Sequence, residues 1–550
     1  MRTIEPSIVT AARVLLVAAM LPAPLAMGQV SGSVVDSATG APVAGALVGA
    51  QASDWKTTTA RDGTFALPNA TGSGLVVVAA MEGYYNTSLN VNAPVSGVLF
   101  TMEAVPPSNH AGYSFVDPST CGSCHPDQFA QWTDSPMSHA GTNLWVYDIY
   151  DGTGTPGGMG GFVYQNDSVY AAANPESECA SCHQPEPWIE TPFSGLEDLG
   201  SLSTGAMHGV SCDICHKIAH IDESKVNFPG IYPGTVDFRR PGPNDSQVQF
   251  GVLGDTSFEL FSLMRPSYQP QLRAAMCAAC HQDKNDPDED HDFEEANGVI
   301  SEPTYLEWLA SPYADPTDPH AADCVDCHMP AYGATKVSNQ SAAPDRDPET
   351  IRHHRIEGTT ARYLENAVEL SVACAEQDGE LHVGVTITNT QTGHHVPTGV
   401  TIRNMILLVE AIRVSTGEVL PSLGDQVVHE LGGVGAPSQG YYAGLPGKLY
   451  AKVNHDRAGH GPTFFTDATG ILWDNRIPAL ASDVTQYRFR LPPGGEDLRV
   501  RARLIYRRAF RGFVDAKRWA SDGHGNPLED IAPPYYGHLM EEVVCDWPGQ

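Results

Sequence analysis

Apolar and polar positions change rhythm twice along the chain. From about Val30 to Glu103, short apolar runs alternate with polar residues and are cut by turn signals such as Ala38-Thr39-Gly40 and Asp62-Gly63. A period of two turns one face of each run toward a core, so this stretch predicts a small antiparallel β-sandwich. From about His110 to Glu357 the periodic runs vanish, and Pro, Gly and Asp punctuate short helical pieces. Two pieces keep helical spacing: Pro126 to Ser138, with Phe129, Trp132 and Met137, and Thr304 to Tyr313, with Tyr305, Leu306, Trp308 and Leu309. From Asn366 to Gln550 the alternation returns in AVELSVAC, ELHVGVTITNT, NMILLVEAIRV, QYRFRL and VRARLIYRRAF, which predicts a second sandwich of seven or more strands. The predicted fold is multidomain: an N-terminal β-sandwich over residues 30–104, a mostly α or irregular domain over 108–357, and a C-terminal β-sandwich over 366–550.

Ahead of the first sandwich, residues 1–28 carry Arg2 and Arg13, then the apolar run VLLVAAMLPAPLA with small residues at its end. This is the pattern of a secretory signal peptide cut near Ala26 or Gly28. Pro22 and Pro24 interrupt the run, which is short for a membrane span. The expected mature chain has no transmembrane segment and resides in the periplasm or outside the cell. Its 65 acidic residues face 32 Lys and Arg, a formal net charge of -33. That balance argues against nucleic acid as a partner and favours solubility or docking to a basic protein.

The chemistry lies in the middle segment. Cys-x-x-Cys-His occurs five times: Cys121, Cys124 and His125; Cys179, Cys182 and His183; Cys212, Cys215 and His216; Cys277, Cys280 and His281; Cys324, Cys327 and His328. Two thiols at this spacing add across the vinyl groups of a haem, and the adjacent imidazole becomes the proximal ligand of its iron. One CxxC pair could equally hold zinc or shuttle a disulfide. Five copies, each followed by His, point to five covalently attached c-type haems. A domain so poor in aliphatic runs would take its apolar mass from the porphyrins and depend on them to fold. The chain has 12 cysteines, and only Cys374 and Cys545 fall outside the motifs. They are read as one disulfide of the C-terminal domain, with free buried thiols as the alternative.

Two family resemblances sharpen this picture. Thr39-Gly40-x-Pro42-Val43-x-Gly45-Ala46, Asp62-Gly63-x-Phe65 and Glu82-Gly83-Tyr84 resemble the carboxypeptidase regulatory-like domain. That resemblance implies a transthyretin-like sandwich with no catalytic residues, used for spacing or adhesion. The stretch CGSCHPDQFAQWTDSPMSHAG, together with HGVSCDICH and HAADCVDCHMP, is similar to the multihaem cytochromes around the nitrifiers' tetrahaem carrier and hydroxylamine oxidoreductase. The similarity implies that His139, in the Ser-x-His-Ala element, and His208 and His320, four residues before a motif, are distal iron ligands. The C-terminal segment TGHHVPTG, with His394 and His395, looks like the corresponding domain of secreted multihaem cytochromes. One of its histidines either reaches back to an iron or caps the loop.

Five bis-histidine haems require five distal ligands, and sixteen histidines remain outside the motifs. After His139, His208 and His320 the ranking places His354 or its neighbour His353, then His291, with His220 and His110 competing. His291 lies in the acidic run DKNDPDEDHDFEE, which reads as a solvated loop or a calcium site. Met137, Met207 and Met329 are the alternative axial ligands and would raise the potential of their haem. His455 and His460 read as loop residues.

Bis-histidine iron has no open position, so the expected function is electron transfer with redox partner proteins in the periplasm or at the cell surface, rather than catalysis. Self-assembly of protomers is compatible with that role. The rival is a pentahaem reductase of nitrite, hydroxylamine or a sulfur oxyanion with one open iron. Pentahaem nitrite reductases usually carry a CxxCK motif and long helices after the last haem. Here all five motifs end in His and strands follow.

Because thioether bonds survive unfolding, the denatured chain is expected to retain five haems by intact mass and haem staining. Replacing both cysteines of any one motif by serine should remove one. A purified full-length protein carrying fewer than five would contradict the motif reading.

Overall fold

The computed structural model describes residues 29–225, 230–243, 247–257 and 264–549. The expected signal peptide lies outside them. Seven strands build the first domain: β1 (Gln29–Asp36), β2 (Leu47–Ala50), β3 (Lys56–Thr58), β4 (Thr64–Pro68), β5 (Gly72–Ala80), β6 (Thr87–Ala93) and β7 (Val95–Met102). They form one sheet in the order β4-β1-β7 and another in the order β3-β2-β5-β6. Val30, Val34, Val48, Leu67, Val77 and Phe100 are fully buried between the sheets, as the alternation predicts. Strands β1 and β7 run parallel with a register shift between Val30 and Gly32. A Cβ at Gly32 would overlap the Val98 carbonyl oxygen at 1.8 Å, so only glycine permits that approach.

The sandwich is docked on the central domain. Tyr85 bridges Ser267, the Asn86 amide donates to the Pro266 carbonyl at 2.8 Å, and Arg265 stacks over the Tyr85 ring at 3.6 Å. Tyr85 thereby joins the apolar core of its neighbour.

In the central domain the five motifs sit on or beside short helices: Pro118–Gly122, Cys179–His183, Cys212–His216, Ala274–His281 and Cys324–His328. Both predicted amphipathic helices form and stop early, at Pro126–Thr133 and Thr304–Leu309. Each is followed by a Ser-Pro pair, Ser135-Pro136 and Ser311-Pro312, and the residue before proline is driven out of helical conformation. The domain also has an apolar core of its own, contrary to expectation. Trp188 and Ile214, on helices, cluster there with Ile218, Val236, Val248 and Phe250, which lie on two strand pairs, Ile218–Ile221 with Val236–Phe238 and Gln247–Gly251 with Met264–Tyr268. These runs are too short to read as strands by alternation.

The C-terminal domain uses β8 (Val368–Gln377), β9 (Glu380–Asn389), β10 (Asn404–Arg413), β11 (Gly447–Tyr450), β12 (Ser482–Arg490), β13 (Leu498–Arg507) and β14 (His538–Trp547). A three-stranded sheet, β8-β9-β12, faces a four-stranded one, β11-β10-β13-β14. Leu381, Val383, Ile387, Met405, Leu407, Phe489 and Val500 fill the space between them. Strand β14 was absent from the predicted runs because HLMEEVVCDW carries carboxylates. It is an edge strand, where charge is tolerated. Cys374 on β8 and Cys545 on β14 lie with Cα atoms 6.7 Å apart, within reach of a disulfide between the two sheets. Among the described residues no helix is long and apolar enough to cross a membrane.

A segment after β13 fastens this sandwich to the central domain. The Lys517 ammonium, 1% exposed, donates to the carbonyls of Asp148, Gly158 and Phe162 at 2.5–2.6 Å. Trp519 stacks on Trp145 at 4.0 Å and donates its indole N–H to the Asp148 carboxylate at 2.6 Å. Lys517→Met would leave three buried carbonyls without their donor, each orphan costing about 1–3 kcal/mol less any relaxation. Chemical denaturation of the variant should show a loss of about 3 kcal/mol or more. A loss below about 1 kcal/mol would show that the clamp is not rigid.

Candidate functional site

The motif histidines share one local arrangement. The Nδ1–H of His125 donates to the Val337 carbonyl at 2.7 Å, that of His183 to Ala140 at 3.1 Å, that of His216 to Phe250 at 2.7 Å and that of His328 to Glu357 at 2.6 Å. A carbonyl can only accept, so each ring carries its proton on Nδ1 and keeps its Nε2 lone pair for a metal. Burial holds His183, His216 and His328 below the ordinary imidazole range, which keeps the ring neutral. His281 also belongs to a deeply buried site and is pushed down to about 4 by burial, with Arg403 adding to the effect. It makes no such carbonyl bond among the described residues. Neutral, oriented imidazoles beside paired thiols form the donor set that a c-type haem requires.

The motifs lie against one another. The thiols of Cys121 and Cys212 lie close enough to perturb one another's ionisation, as do those of Cys182 with Cys280 and Cys277 with Cys324. Cys215 also acts on Cys277 electrostatically. The first motif therefore touches the third, and the fourth touches the second and fifth and neighbours the third. No sequence spacing reveals that order.

Residues named as distal ligands fall in contrasting settings. His354 is deeply buried. Its Nδ1–H donates to the Arg352 carbonyl at 3.0 Å, and burial, with His216 and then His125 nearby, pushes it down to about 4. His139 has its Nδ1 bound by the Ser135 carbonyl at 3.0 Å, and its ring lies 5.8 Å from that of His524. His208 holds the nearly buried Glu186 carboxylate at 3.1 Å through Nδ1, with Asp117 3.7 Å from Nε2. His320 is 51% exposed and bound to Asp318 at 2.9 Å, beside Tyr313. His291 packs its ring on Phe193 with centres 4.5 Å apart, in the acidic loop where Asp286, Asp288 and Glu295 converge.

The C-terminal domain supplies two histidines to this region. His394 is deeply buried, with its Nδ1–H on the His395 carbonyl at 2.9 Å. Burial pushes it down to about 4. His524 lies close enough to His183 to depress its basicity. TGHHVPTG marks the first in the sequence. The second, in the turn SDGHGNP, carries no sequence signal, since a lone turn histidine is ordinarily a surface residue.

Behind the His394 loop sits a buried charged cluster. Arg476, 3% exposed, pairs with Glu307, 4% exposed, at 2.6 Å and with Asp474 at 2.7 Å. Glu307 accepts from Thr398 Oγ1 at 2.6 Å and from the His395 amide at 3.2 Å. Burial raises Glu302 to about 7 and Asp283 to about 8, and lowers Lys452 to about 8. This cluster borders His281 and joins the fourth motif to the C-terminal sandwich.

Comparison with known proteins agrees with both ends of this description. The carboxypeptidase regulatory-like domain model matches residues 29–103, the first sandwich. The crystal structure of a penta-heme cytochrome c552 from Thermochromatium tepidum superposes with a TM-score of 0.53 at 18% identity, covering 78% of this chain and 99% of that one. No curated protein matches the sequence. The chain thus joins an N-terminal carboxypeptidase regulatory-like domain to a fold similar to that of the penta-heme cytochrome.

Proposed function

We propose that this chain is a secreted multihaem c-type cytochrome that carries electrons, in the periplasm or outside the cell, along five covalently attached haems. The observation that supports it most is the contiguity of the five motifs. Adjacent motif thiols mean that groups attached to them would lie side by side. A haem iron, when bound, stores one electron by cycling between ferric and ferrous. The chain's own part is to hold neutral imidazoles in place, to keep water away and to fix the order of the sites. The penta-heme cytochrome of similar fold is consistent with that reading. The Cys374–Cys545 pairing and the apolar N-terminus fit an oxidising compartment. The net charge of -33 favours a basic docking partner.

One observation favours the reductase alternative at a single place. Among the described residues His281 lacks the carbonyl that orients its four counterparts, and the Arg403 cation lies close enough to depress its basicity, a positive charge that would attract an oxyanion. If any iron is open to substrate, it is the one on the fourth motif.

Spectra of the oxidised and reduced full-length protein separate the two. The carrier reading expects all five haems low-spin and unreactive toward nitric oxide. A stoichiometric high-spin ferric signal, with nitric oxide bound by one haem in five, would overturn it in favour of the reductase.

A further inference from the structure

The two histidines His328 and His394 come from different domains, yet their rings are parallel within 8° and their centres are 6.4 Å apart. His328 has little freedom. Its Nδ1 is held by the Glu357 carbonyl at 2.6 Å, and one face is covered by Tyr363, with ring centres 5.3 Å apart and planes within 12°. Tyr363 is itself held by its hydroxyl, which donates to the Cys327 carbonyl at 2.7 Å. His394 is fixed the same way through Nδ1. Both rings therefore keep their free lone pair on Nε2, and neither Nε2 has a hydrogen-bond partner among the described residues. Two imidazoles bound on opposite sides of one metal at about 2.0 Å each would have ring centres about 6 Å apart, once half a ring is added on either side. The observed separation fits that spacing.

The loop that carries His394 is built rather than incidental. It runs between β9 and β10. The His394 carbonyl accepts from Asn389 Nδ2 and from Thr392 Oγ1, both at 2.9 Å. Val396 pairs with Ile477 through both backbone bonds, at 2.9 and 3.1 Å. Gly393 lies against Tyr313 and Trp308 of the central domain so closely that a Cβ there would come within 3.1–3.3 Å of their rings. On the other side, Glu307 of the central domain grips the His395 amide and Thr398, and is neutralised by Arg476. The loop is thus anchored to both domains at the point where His394 faces the fifth motif.

We infer that His394 is the distal axial ligand of the haem held by Cys324, Cys327 and His328, so that the C-terminal sandwich closes this iron and is part of the redox centre. The inference rests on the haem-binding reading of the fifth motif. It makes the sandwich more than a passive flank: docking of the β9–β10 loop sets both the spin state and the potential of the last haem. His395, its neighbour, is assigned no iron.

The test uses the full-length, haem-loaded protein. In His394→Ala, electron paramagnetic resonance should show one haem in five converted to high spin, and added imidazole should return it to low spin, which a merely structural role would not produce. His395→Ala should leave all five low-spin. His394→Met keeps a sixth ligand, guarding against a truncation that fails to fold, and should raise the potential of one haem only. Five haems with an unchanged low-spin signal in His394→Ala, or unaltered potentials in His394→Met, would overturn the inference. A wild-type peptide spanning Cys324 to His328 that carries no haem would overturn the haem reading itself, and the inference with it.

Discussion

The rest of the structure depends on a hydrogen bond between an imidazole Nδ1–H and a backbone carbonyl, repeated at four of the five motifs. It fixes the tautomer and the ring plane, and it leaves Nε2 as a lone pair aimed away from the backbone. The same bond recurs at His139, His354 and His394 outside the motifs. Burial lowers His183, His216 and His328 and pushes His354 and His394 down to about 4, so that those rings favour the neutral form. A doubly protonated, cationic ring would repel a metal. These are held ready for one.

The carbonyl acceptors come from widely separated segments, so the backbone that supplies them must be rigid. Two sandwiches provide that rigidity. The first is bonded to the strand Met264–Tyr268 through Tyr85 and Asn86, and the last is held by Lys517 and the Trp145–Trp519 stack. Between them the central domain has its own core around Trp188 and Phe250. That core lies away from the fifth motif, where the β9–β10 loop and the Glu307–Arg476 pair take over. A buried pair of this kind contributes little net stability but is costly to break. Its position between domains suits a role in fixing geometry.

The sequence made the periodic elements legible. Alternation located both sandwiches, and CxxCH located the ten paired cysteines and the histidine beside each pair. Helix ends were misjudged where a proline three residues beyond the last helical residue took precedence over apolar spacing. The unreadable parts have a common physical reason. The order of the motifs, the approach of His524 to His183 and the pairing of His394 with His328 are contacts between segments far apart in the chain. They are set by how domains dock, and no local period encodes docking. His320 illustrates the converse: its spacing before a motif matches the resemblance, while its side chain is half exposed beside Asp318.

The central claim is that five sites form one contiguous cluster, closed at its end by a ligand from the C-terminal domain. An experimental structure of the haem-loaded protein, with the distance from each histidine Nε2 to iron measured, tests this most directly. The account predicts His328 and His394 on opposite sides of one iron at about 2.0 Å each, with the fourth haem in contact with those of the second and fifth motifs. Haems isolated from one another, or an iron on the fifth motif whose distal side is water or another residue, would contradict it.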